Sequence, residues 1–237
     1  MRVLGVIPAR GGSKGVPRKN IKLLGGKPLI WYTLKSAKES KFLSECLVST
    51  EDKEIKETAI GLGAEVPFLR PKELALDTAS TLPVLTHALS EMEHQGKYFD
   101  AVCILQPTSP FRSSGFIDKC IKKFIQTKAD TLISVKKVPD HYNPHWVFEE
   151  TEKDRFKIST GEKQIIPRRQ QLPNTFYRDG MVYLVKSDLI LRENTLFGSK
   201  ISAYPTQGDS INIDTMEDWR LAEAFLKTNM QKPNKLE

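Results

Sequence analysis

Long hydrophobic runs, cysteine and histidine are all scarce in this chain of 237 residues. No apolar stretch approaches the roughly 18 residues that a membrane-spanning helix needs, so we expect no transmembrane helix. The three cysteines include no C-x-x-C pair, which argues against a disulfide framework and favours buried, reduced thiols. The apolar start runs into charge without a cleavage pattern, so the sequence predicts no signal peptide and a cytoplasmic protein.

Two common phosphate-binding motifs and one metal motif are also absent. G-x-x-x-x-G-K-[ST] does not occur, which excludes a P-loop ATPase, and without G-x-G-x-x-G a dinucleotide fingerprint is not supported. The four histidines form no H-E-x-x-H pattern, so a zinc site is not indicated.

The charge balance is basic, with a net charge of +7 from 36 Lys and Arg against 29 Asp and Glu. Nucleic acid is one class of partner for such a chain. However, the basic residues are scattered and form no stripe interleaved with aromatic residues. An anionic small molecule explains the few clustered cations equally well, and we expect neither a nucleic-acid nor a membrane partner.

Residues 1–135 alternate between strand and helix patterns, within a composition typical of globular proteins (39% hydrophobic, 27% charged). Strands are predicted at 3–9, 46–50, 66–69, 101–105 and 131–135. Helices are predicted at 28–40, 52–62, 81–95 and 114–127. This order predicts an α/β fold, with a mostly parallel sheet and helices on both faces.

The alternation breaks at Pro139. Residues 139–175 are too many for a simple connection and too few for a separate domain. We predict a protruding hairpin arm that docks on another subunit, with a flexible surface loop as the alternative. Its Arg168–Arg169 pair can grip a carboxylate, although such pairs are also common on surfaces. Returning strands are predicted at 181–185 and 210–213, and a helix at 216–230 capped by Thr215.

The stretch V-L-G-V-I-P-A-R-G-G-S-K-G-V-P-R-K-N at residues 3–20 predicts a polyphosphate site. Its apolar first half predicts a buried strand. The loop that follows combines glycines, whose backbone can approach phosphate oxygens, with cations that supply charge: Gly11, Gly12, Gly15, Arg10, Lys14, Arg18 and Lys19. Because ligands of such sheets bind at strand ends, we favour this site over a solvated basic turn.

Other polar residues lie near expected strand ends. Gln106 to Pro110, Q-P-T-S-P, directly follows the strand at 101–105, and its prolines stiffen the turn. A plain proline turn is the alternative. Arg70, at the end of the third predicted strand, is another phosphate candidate. Ser80 can bind a ligand or simply cap the helix that follows it.

The segment I-N-I-D-T at residues 211–215 alternates apolar and polar residues, as in a strand. This alternation puts Asn212 and Asp214 on one face. Two oxygen-bearing side chains suit Mg²⁺, which takes its other ligands from phosphate and water. Asp209 is a further candidate ligand, and a role for Asp214 at the start of the next helix is the alternative.

Together these segments resemble the acylneuraminate cytidylyltransferases, the CMP-sialic acid synthetase family. The resemblance runs almost from end to end, through blocks in the family's order: A-R-G-G-S-K-G-V-P-R-K-N, R-P-K-E-L-A-L-D-T-A-S, L-Q-P-T-S-P-F-R, P-R-R-Q-Q-L-P, R-D-G-M-V-Y and D-S-I-N-I-D-T. It implies one Rossmann-like domain over 1–237 and a homodimer whose inserted arm, 139–175, reaches the partner's sugar site. The implied reaction joins CTP to the anomeric hydroxyl of a nine-carbon α-keto acid sugar and releases pyrophosphate.

The resemblance also implies roles for individual residues. Nucleotide binding falls on Arg10, Gly11, Gly12, Ser13, Lys14, Lys19, Asn20, Arg70, Ser80 and Thr81. Sugar binding falls on Gln106, Arg169, Gln170 and Arg178. Mg²⁺ falls on Asp214 and Asn212. Arg10, Lys19 and Asp214 are the expected catalytic residues, because negative charge grows on the leaving pyrophosphate.

One position departs from the family, which often has D-x-D in its last block. Here Asn212 takes the first place, and its carbonyl oxygen can bind Mg²⁺ but adds no charge. A nucleotide-binding paralogue with weakened catalysis is therefore one alternative function. Another is a nucleotidyltransferase for a sugar 1-phosphate or an eight-carbon keto acid. The residues do not choose among N-acetylneuraminic, legionaminic and pseudaminic acids as the sugar.

Overall fold

The computed structural model describes residues 1–208 and 210–230. The strands are β1 (Val3–Pro8), β2 (Leu23–Leu24), β3 (Lys27–Pro28), β4 (Glu45–Ser49), β5 (Ala101–Ile104), β6 (Thr131–Lys137), β7 (Phe148–Glu152), β8 (Arg155–Ile158), β9 (Phe176–Lys186) and β10 (Ile201–Pro205). The helices are α1 (Leu29–Lys38), α2 (Lys53–Gly61), α3 (Thr81–His94), α4 (Phe116–Thr127), α5 (Ser187–Leu191) and α6 (Met216–Met230).

Six strands form the central sheet, in the order β10-β6-β9-β5-β1-β4. All of them run in parallel except β9, which is antiparallel to both of its neighbours. The prediction of a mostly parallel sheet is therefore confirmed. Because of these directions, the carboxyl ends of β1, β4, β5 and β6 lie at the same edge of the sheet as the beginning of β9.

Helices cover both faces of the sheet, because the strands are apolar on both sides. Along β1, Val3 and Ile7 pack into a core cluster with residues of α1, α2 and α4. Leu4 and Val6 point to the opposite face and pack with residues of α3 and α5. All four side chains are fully buried. The predicted helices on both faces are thereby confirmed.

A third core cluster joins the loop after β1 to the C-terminal helix. Val16 from the loop, Leu24 from β2, and Trp219 and Ala222 from α6 are buried together in it. Ile213, which precedes α6, is fully buried in the same cluster. This packing fixes the glycine-rich loop and residues 211–215 against one another.

Side-chain caps begin two of the helices, and the cap predicted at Thr215 is one of them. Asp52 Oδ1 accepts the Ile55 N–H of α2 at 3.0 Å, and Thr215 Oγ1 accepts the Asp218 N–H of α6 at 3.2 Å. Of the two roles considered for Ser80, capping is not observed, because its hydroxyl makes no hydrogen bond to the first turn of α3. Ser80 lines a cavity instead.

Two predicted strands do not form. Residues 66–69 are not a strand, and the chain makes only an isolated bridge there, between Glu65 and Leu47, because Pro67 has no N–H to extend the pairing. Residues 210–213 are irregular, and β10 takes the place beside β6. The alternation at 211–215 therefore reflects the burial of Ile213 and not a sheet.

The excursion between β6 and β9 contains a hairpin. β7 and β8 pair in antiparallel fashion and form a sheet of their own, separate from the central one. Every residue of β7 is exposed. The hairpin expected in this segment is therefore present, with its strands at 148–152 and 155–158.

The cysteines agree with the expectation of reduced thiols. Cys46, Cys103 and Cys120 are all free, and the last two are buried. Burial raises the pKa of the Cys120 thiol to about 12, so this side chain remains protonated. Within residues 1–208 and 210–230, no helix combines the length and apolarity needed to cross a bilayer.

We expect Ile213→Ala to lower the free energy of unfolding by about 2–4 kcal/mol, because it removes buried methyl groups and leaves a cavity. Ile60→Ala is the matched control, since Ile60 is 50% exposed on α2. The control should change the free energy of unfolding by less than about 0.5 kcal/mol. Urea denaturation followed by circular dichroism measures both, and equal effects would contradict an anchoring role for Ile213.

Candidate functional site

A cavity of about 750 Å³ lies at the carboxyl edge of the central sheet. Five separate segments form its walls: the loop after β1, the residues around the start of α3, the turn after β5, the first half of β9, and residues 210–214. The predicted site residues that line it are Arg10, Gly12, Ser13, Lys19, Asn20, Arg70, Ser80, Thr81, Gln106, Arg178, Asn212 and Asp214. Gly11, Lys14, Arg169 and Gln170 are not on its wall.

The glycines of the loop allow close packing. Gly11 donates its N–H to Glu51 at 2.7 Å. A Cβ at this position would overlap the carboxylate of Asp52. A Cβ at Gly15 would overlap the backbone carbonyl oxygen of Asp214. Gly12 has open space around it and lines the cavity. Of these glycines, Gly12 is thus the one whose backbone remains available to a ligand.

Two side chains near the C-terminal end of the loop hold it in place. Asn20 is buried and donates its Nδ2 to the Arg10 carbonyl at 2.9 Å. Arg18 has a φ of 52°, and its guanidinium pairs with Asp52 and Glu54, each at 2.5 Å. Arg18 therefore ties the loop to α2 and is not one of the cations that line the cavity.

Carboxylates of the protein pair with the cations around the cavity. Asp77 accepts from Arg10 at 2.7 Å and from Lys14 at 2.8 Å. The hydrogen bond from Lys14 is the largest cause of a lowered pKa at Asp77, and the charge of Arg10 adds to it. These side chains are at least 40% exposed, and Lys14 reaches 85%. Such exposed pairs are weak, so an anionic ligand can replace the carboxylate.

A second pair is buried in the cavity wall. Arg70 donates to Glu51 at 2.7 Å, and the two side chains are only 3% and 12% exposed. The Nε of Arg70 is buried and has no hydrogen-bond partner. Arg70 is therefore a fixed positive charge whose buried Nε donor is unused.

Hydrogen bonds hold residues 212–214 between the loop after β1 and the turn after β5. The Ile213 N–H donates to the Thr108 carbonyl at 2.8 Å. Lys19 Nζ donates to the Ile213 carbonyl at 2.8 Å and to Asp214 Oδ1 at 3.1 Å. Asn212 Nδ2 donates to Asp214 Oδ2 at 2.5 Å. Although this segment is not a strand, the two side chains predicted to share a face do lie together.

Asp214 and Asn212 fit a hard cation. The Asp214 side chain is 62% exposed, and both residues line the cavity. One exposed carboxylate and one amide oxygen suit Mg²⁺ if phosphate and water complete its ligands. The Asn212 amide presents its nitrogen to Asp214, so its oxygen reaches a shared cation only after the amide rotates. The described residues contain no metal-binding group of three or more His, Cys, Asp or Glu, and Asp209 lies outside them.

The turn after β5 and the start of β9 meet at Gly180. This residue has a φ of 77°, a conformation that favours glycine. A Cβ there would lie 2.8 Å from Ser109 Oγ and 3.1 Å from Gln106 Oε1. Ser109 Oγ donates to the Asp179 carbonyl at 3.2 Å. The Q-P-T-S-P turn is therefore packed directly against the R-D-G block.

Three carboxylates at this site are not among the site residues predicted from the sequence: Glu51, Asp77 and Asp179. Asp179 lines the cavity and is buried, and its Oδ1 accepts from Ser134 at 2.5 Å and from the Met181 N–H at 3.0 Å. The blocks D-T-A-S and R-D-G contain two of these carboxylates. Their partners come from distant segments, so the pattern of either block alone could not identify them.

Arg169 and Gln170 lie apart from this cavity in the single chain. Arg169 is exposed on the arm and pairs with Asp140. It lines a separate cavity of about 530 Å³, together with Trp146. Arg178, by contrast, lines the main cavity. Of the two sugar-binding arginines expected from the resemblance, one chain thus brings only Arg178 to the site.

Comparisons with known proteins identify the family of this chain. The sequence model of the family described as "Cytidylyltransferase" matches residues 4–228. A "CMP-N,N'-diacetyllegionaminic acid synthase" of Legionella pneumophila is 34% identical over 98% of this chain and 99% of its own length. A "Pseudaminic acid cytidylyltransferase" of Campylobacter jejuni is 33% identical over 97% and 98%. An "N-acylneuraminate cytidylyltransferase" of Streptococcus agalactiae is 30% identical over 92% of this chain and 52% of its own length.

A solved structure supports the fold. A CMP:2-keto-3-deoxy-manno-octonic acid synthetase complexed with CTP has a TM-score of 0.74 and covers 97% of this chain and 100% of its own. Its sequence identity of 16% makes this likeness one of fold alone. The Rossmann-like α/β fold and the family expected from the sequence blocks are both confirmed. Since the family match spans nearly the whole chain, the protein belongs to the cytidylyltransferase family and is a nucleotidyltransferase.

Proposed function

We propose that the protein transfers the cytidylyl group of CTP to the anomeric hydroxyl of a nonulosonic acid, a nine-carbon α-keto acid sugar. The observation that carries this proposal is the meeting of Arg10, Lys19 and Asp214, from opposite ends of the chain, on the wall of one cavity. The names of the relatives supply the substrate class. Identities of 34% and 33% to enzymes for two different sugars leave the individual acid open.

In the proposed reaction, the sugar hydroxyl attacks the α-phosphorus of CTP. A new bond forms between the α-phosphorus and the sugar oxygen, whose proton passes to solvent water. The bond from the α-phosphorus to the oxygen that it shares with the β-phosphate breaks, and pyrophosphate leaves with that electron pair. Arg10 exchanges Asp77 for phosphate oxygens. Lys19 already donates to Ile213 and Asp214, and its third N–H remains for the pyrophosphate. Fixed cations of this kind stabilise a charge that grows in the transition state.

The sugar is proposed to bind on the opposite wall, beside Gln106 and Arg178. Arg178 supplies a positive charge for the sugar carboxylate. Among the described residues that line the cavity, none is a histidine. Deprotonation of the attacking hydroxyl is therefore not assigned to an imidazole.

Mg²⁺ is the proposed cofactor, held by Asp214 with the Asn212 carbonyl. Its chemistry there would be to neutralise phosphate oxygens and to lower the pKa of a bound hydroxyl. Before a cation binds, the Asp214 carboxylate is satisfied by Lys19 and by the Asn212 amide nitrogen. A cation has to replace these donors, which predicts weak binding in the absence of nucleotide.

The reaction is tested by following pyrophosphate release from CTP with N-acetylneuraminic, N,N'-diacetyllegionaminic and pseudaminic acids. We expect Mg²⁺-dependent release with at least one nine-carbon acid and with CTP in preference to UTP and GTP. Lys19→Ala should reduce kcat by about 100-fold, because it removes a charge from the leaving group. Lys22→Ala, outside the cavity, is its control. Turnover only with an eight-carbon keto acid or a sugar 1-phosphate would overturn the proposal.

We expect Asn212→Asp to lower the Mg²⁺ concentration needed for half-maximal rate by about tenfold, because a second carboxylate adds negative charge to the cation site. Manganese titration without nucleotide should show the same direction. Asp214→Asn is the companion variant and should abolish the Mg²⁺ response. An unchanged Mg²⁺ requirement in Asn212→Asp would remove this position from the cation site. Tight CTP binding without turnover in the parent protein, rescued by this substitution, would instead indicate a nucleotide-binding paralogue.

A homodimer formed through the arm is also proposed. The hairpin exposes large apolar side chains: Phe148 is 53% and Phe156 is 63% exposed. Exposed apolar groups that cluster on one projection are typical of a protein interface. Arg169 lies on the same arm and is not on the wall of the main cavity of its own chain. We therefore propose that it binds the sugar carboxylate in the main cavity of a second copy.

We expect Phe148→Ser combined with Phe156→Ser to convert a dimer into a monomer, because polar side chains remove the apolar contact. Light scattering coupled to size-exclusion chromatography measures the mass. Phe197→Ser is the control, since Phe197 is 51% exposed outside the arm. A monomeric parent protein, or dissociation by the control as well, would contradict this interface.

A further inference from the structure

Arg112, at the end of the block L-Q-P-T-S-P-F-R, is a charged side chain buried in the protein interior. Only 8% of the residue is exposed. Burial lowers the pKa of its guanidinium to about 10, so it remains protonated at neutral pH. Within residues 1–208 and 210–230 no carboxylate forms a direct ion pair with it, and the charge of Asp179 acts on the guanidinium from a longer distance. A buried charge without a directly paired carboxylate is costly. In return, the guanidinium makes hydrogen bonds that an apolar side chain could not make.

The guanidinium makes one hydrogen bond from each of its three nitrogens, to three different segments. Nε donates to the Met181 carbonyl of β9 at 2.9 Å, and Nη2 donates to the Gln106 carbonyl of the turn after β5 at 2.8 Å. Nη1 donates to Thr33 Oγ1 of α1 at 3.0 Å. A planar fork with donors in fixed directions can hold these acceptors at one spacing, whereas an ammonium group cannot.

One of these acceptors lies on the wall on which the sugar is proposed to bind, and a second directly follows a residue of that wall. Gln106 lines the cavity itself, and Met181 follows Gly180, which also lines it. The close approach of Gly180 to Ser109 and Gln106 leaves little room for the two segments to shift. The loop after β1 is not among the hydrogen-bond partners of Arg112. Hydrogen bonds of Asn20, Glu51 and Lys19 hold this loop instead.

We propose that Arg112 is a positioning residue for the acceptor sugar: its guanidinium sets the spacing between the Gln106 turn and the Gly180 bend. This inference rests on the proposed function for the identity of the sugar. The positional part rests on the three hydrogen bonds alone. Loss of Arg112 therefore affects the sugar half of the cavity and spares the nucleotide half.

The test compares Arg112→Lys, which keeps charge and bulk, with Thr33→Val, which removes only the acceptor remote from the cavity. We expect Arg112→Lys to raise KM for the sugar by about tenfold or more while KM for CTP changes less than about twofold, since one point charge replaces a fork. Thr33→Val should lower Tm without a selective change in either KM. A folded Arg112→Lys variant with an unchanged sugar KM, or with equal increases for both substrates, would overturn the proposal.

Hydrogen–deuterium exchange supplies a second readout that does not depend on substrate. In Arg112→Lys we expect faster exchange in residues 104–112 and 176–184, with residues 10–20 unchanged. A general increase, or failure of both Arg112→Lys and Arg112→Met to fold, would assign Arg112 to overall stability and overturn the proposal. If the parent protein turns over no nine-carbon acid, the proposed function fails, and the exchange pattern still decides the positional claim.

Discussion

The site depends on the way residues 212–214 are held without a strand or a helix. The Ile213 side chain is buried in the core cluster that also contains Val16 of the glycine-rich loop. The Ile213 N–H donates to the Thr108 carbonyl, and the Ile213 carbonyl accepts from Lys19 Nζ. Every strong polar group of that residue is thereby satisfied, as a buried backbone requires. One residue near the end of the chain thus fixes the relative positions of three cavity walls.

The second constraint is electrostatic. Three of the cations that line the cavity, Arg10, Lys19 and Arg70, are paired with the carboxylates of Asp77, Asp214 and Glu51 respectively. The exposed pairs contribute little to stability and exchange readily. The buried Arg70–Glu51 pair has a different role, since breaking it would leave a charge without a partner. The cavity therefore combines replaceable carboxylates near the loop with one fixed charge in the wall.

The two halves of the cavity are anchored by different means. The proposed nucleotide half depends on a loop whose glycines allow contact with Glu51 and with the carbonyl of Asp214. The proposed sugar half depends on a stiff proline turn that meets the positive-φ bend at Gly180. Separate anchoring means that a change in one half need not disturb the other, which is useful when related enzymes accept different sugars on a common nucleotide.

The sequence by itself determined most of the alternation of strands and helices over residues 1–135, the loop of glycines and cations, and the proximity of Asn212 to Asp214, because these follow from local spacing. It misassigned residues 66–69, where Pro67 interrupts pairing, and residues 210–213. Only the tertiary structure decided that Asp77 bridges two cations and that one chain leaves Arg169 outside the cavity. The physical reason is that ion pairs and core contacts join residues far apart in sequence, and their energies depend on distances that no local pattern contains.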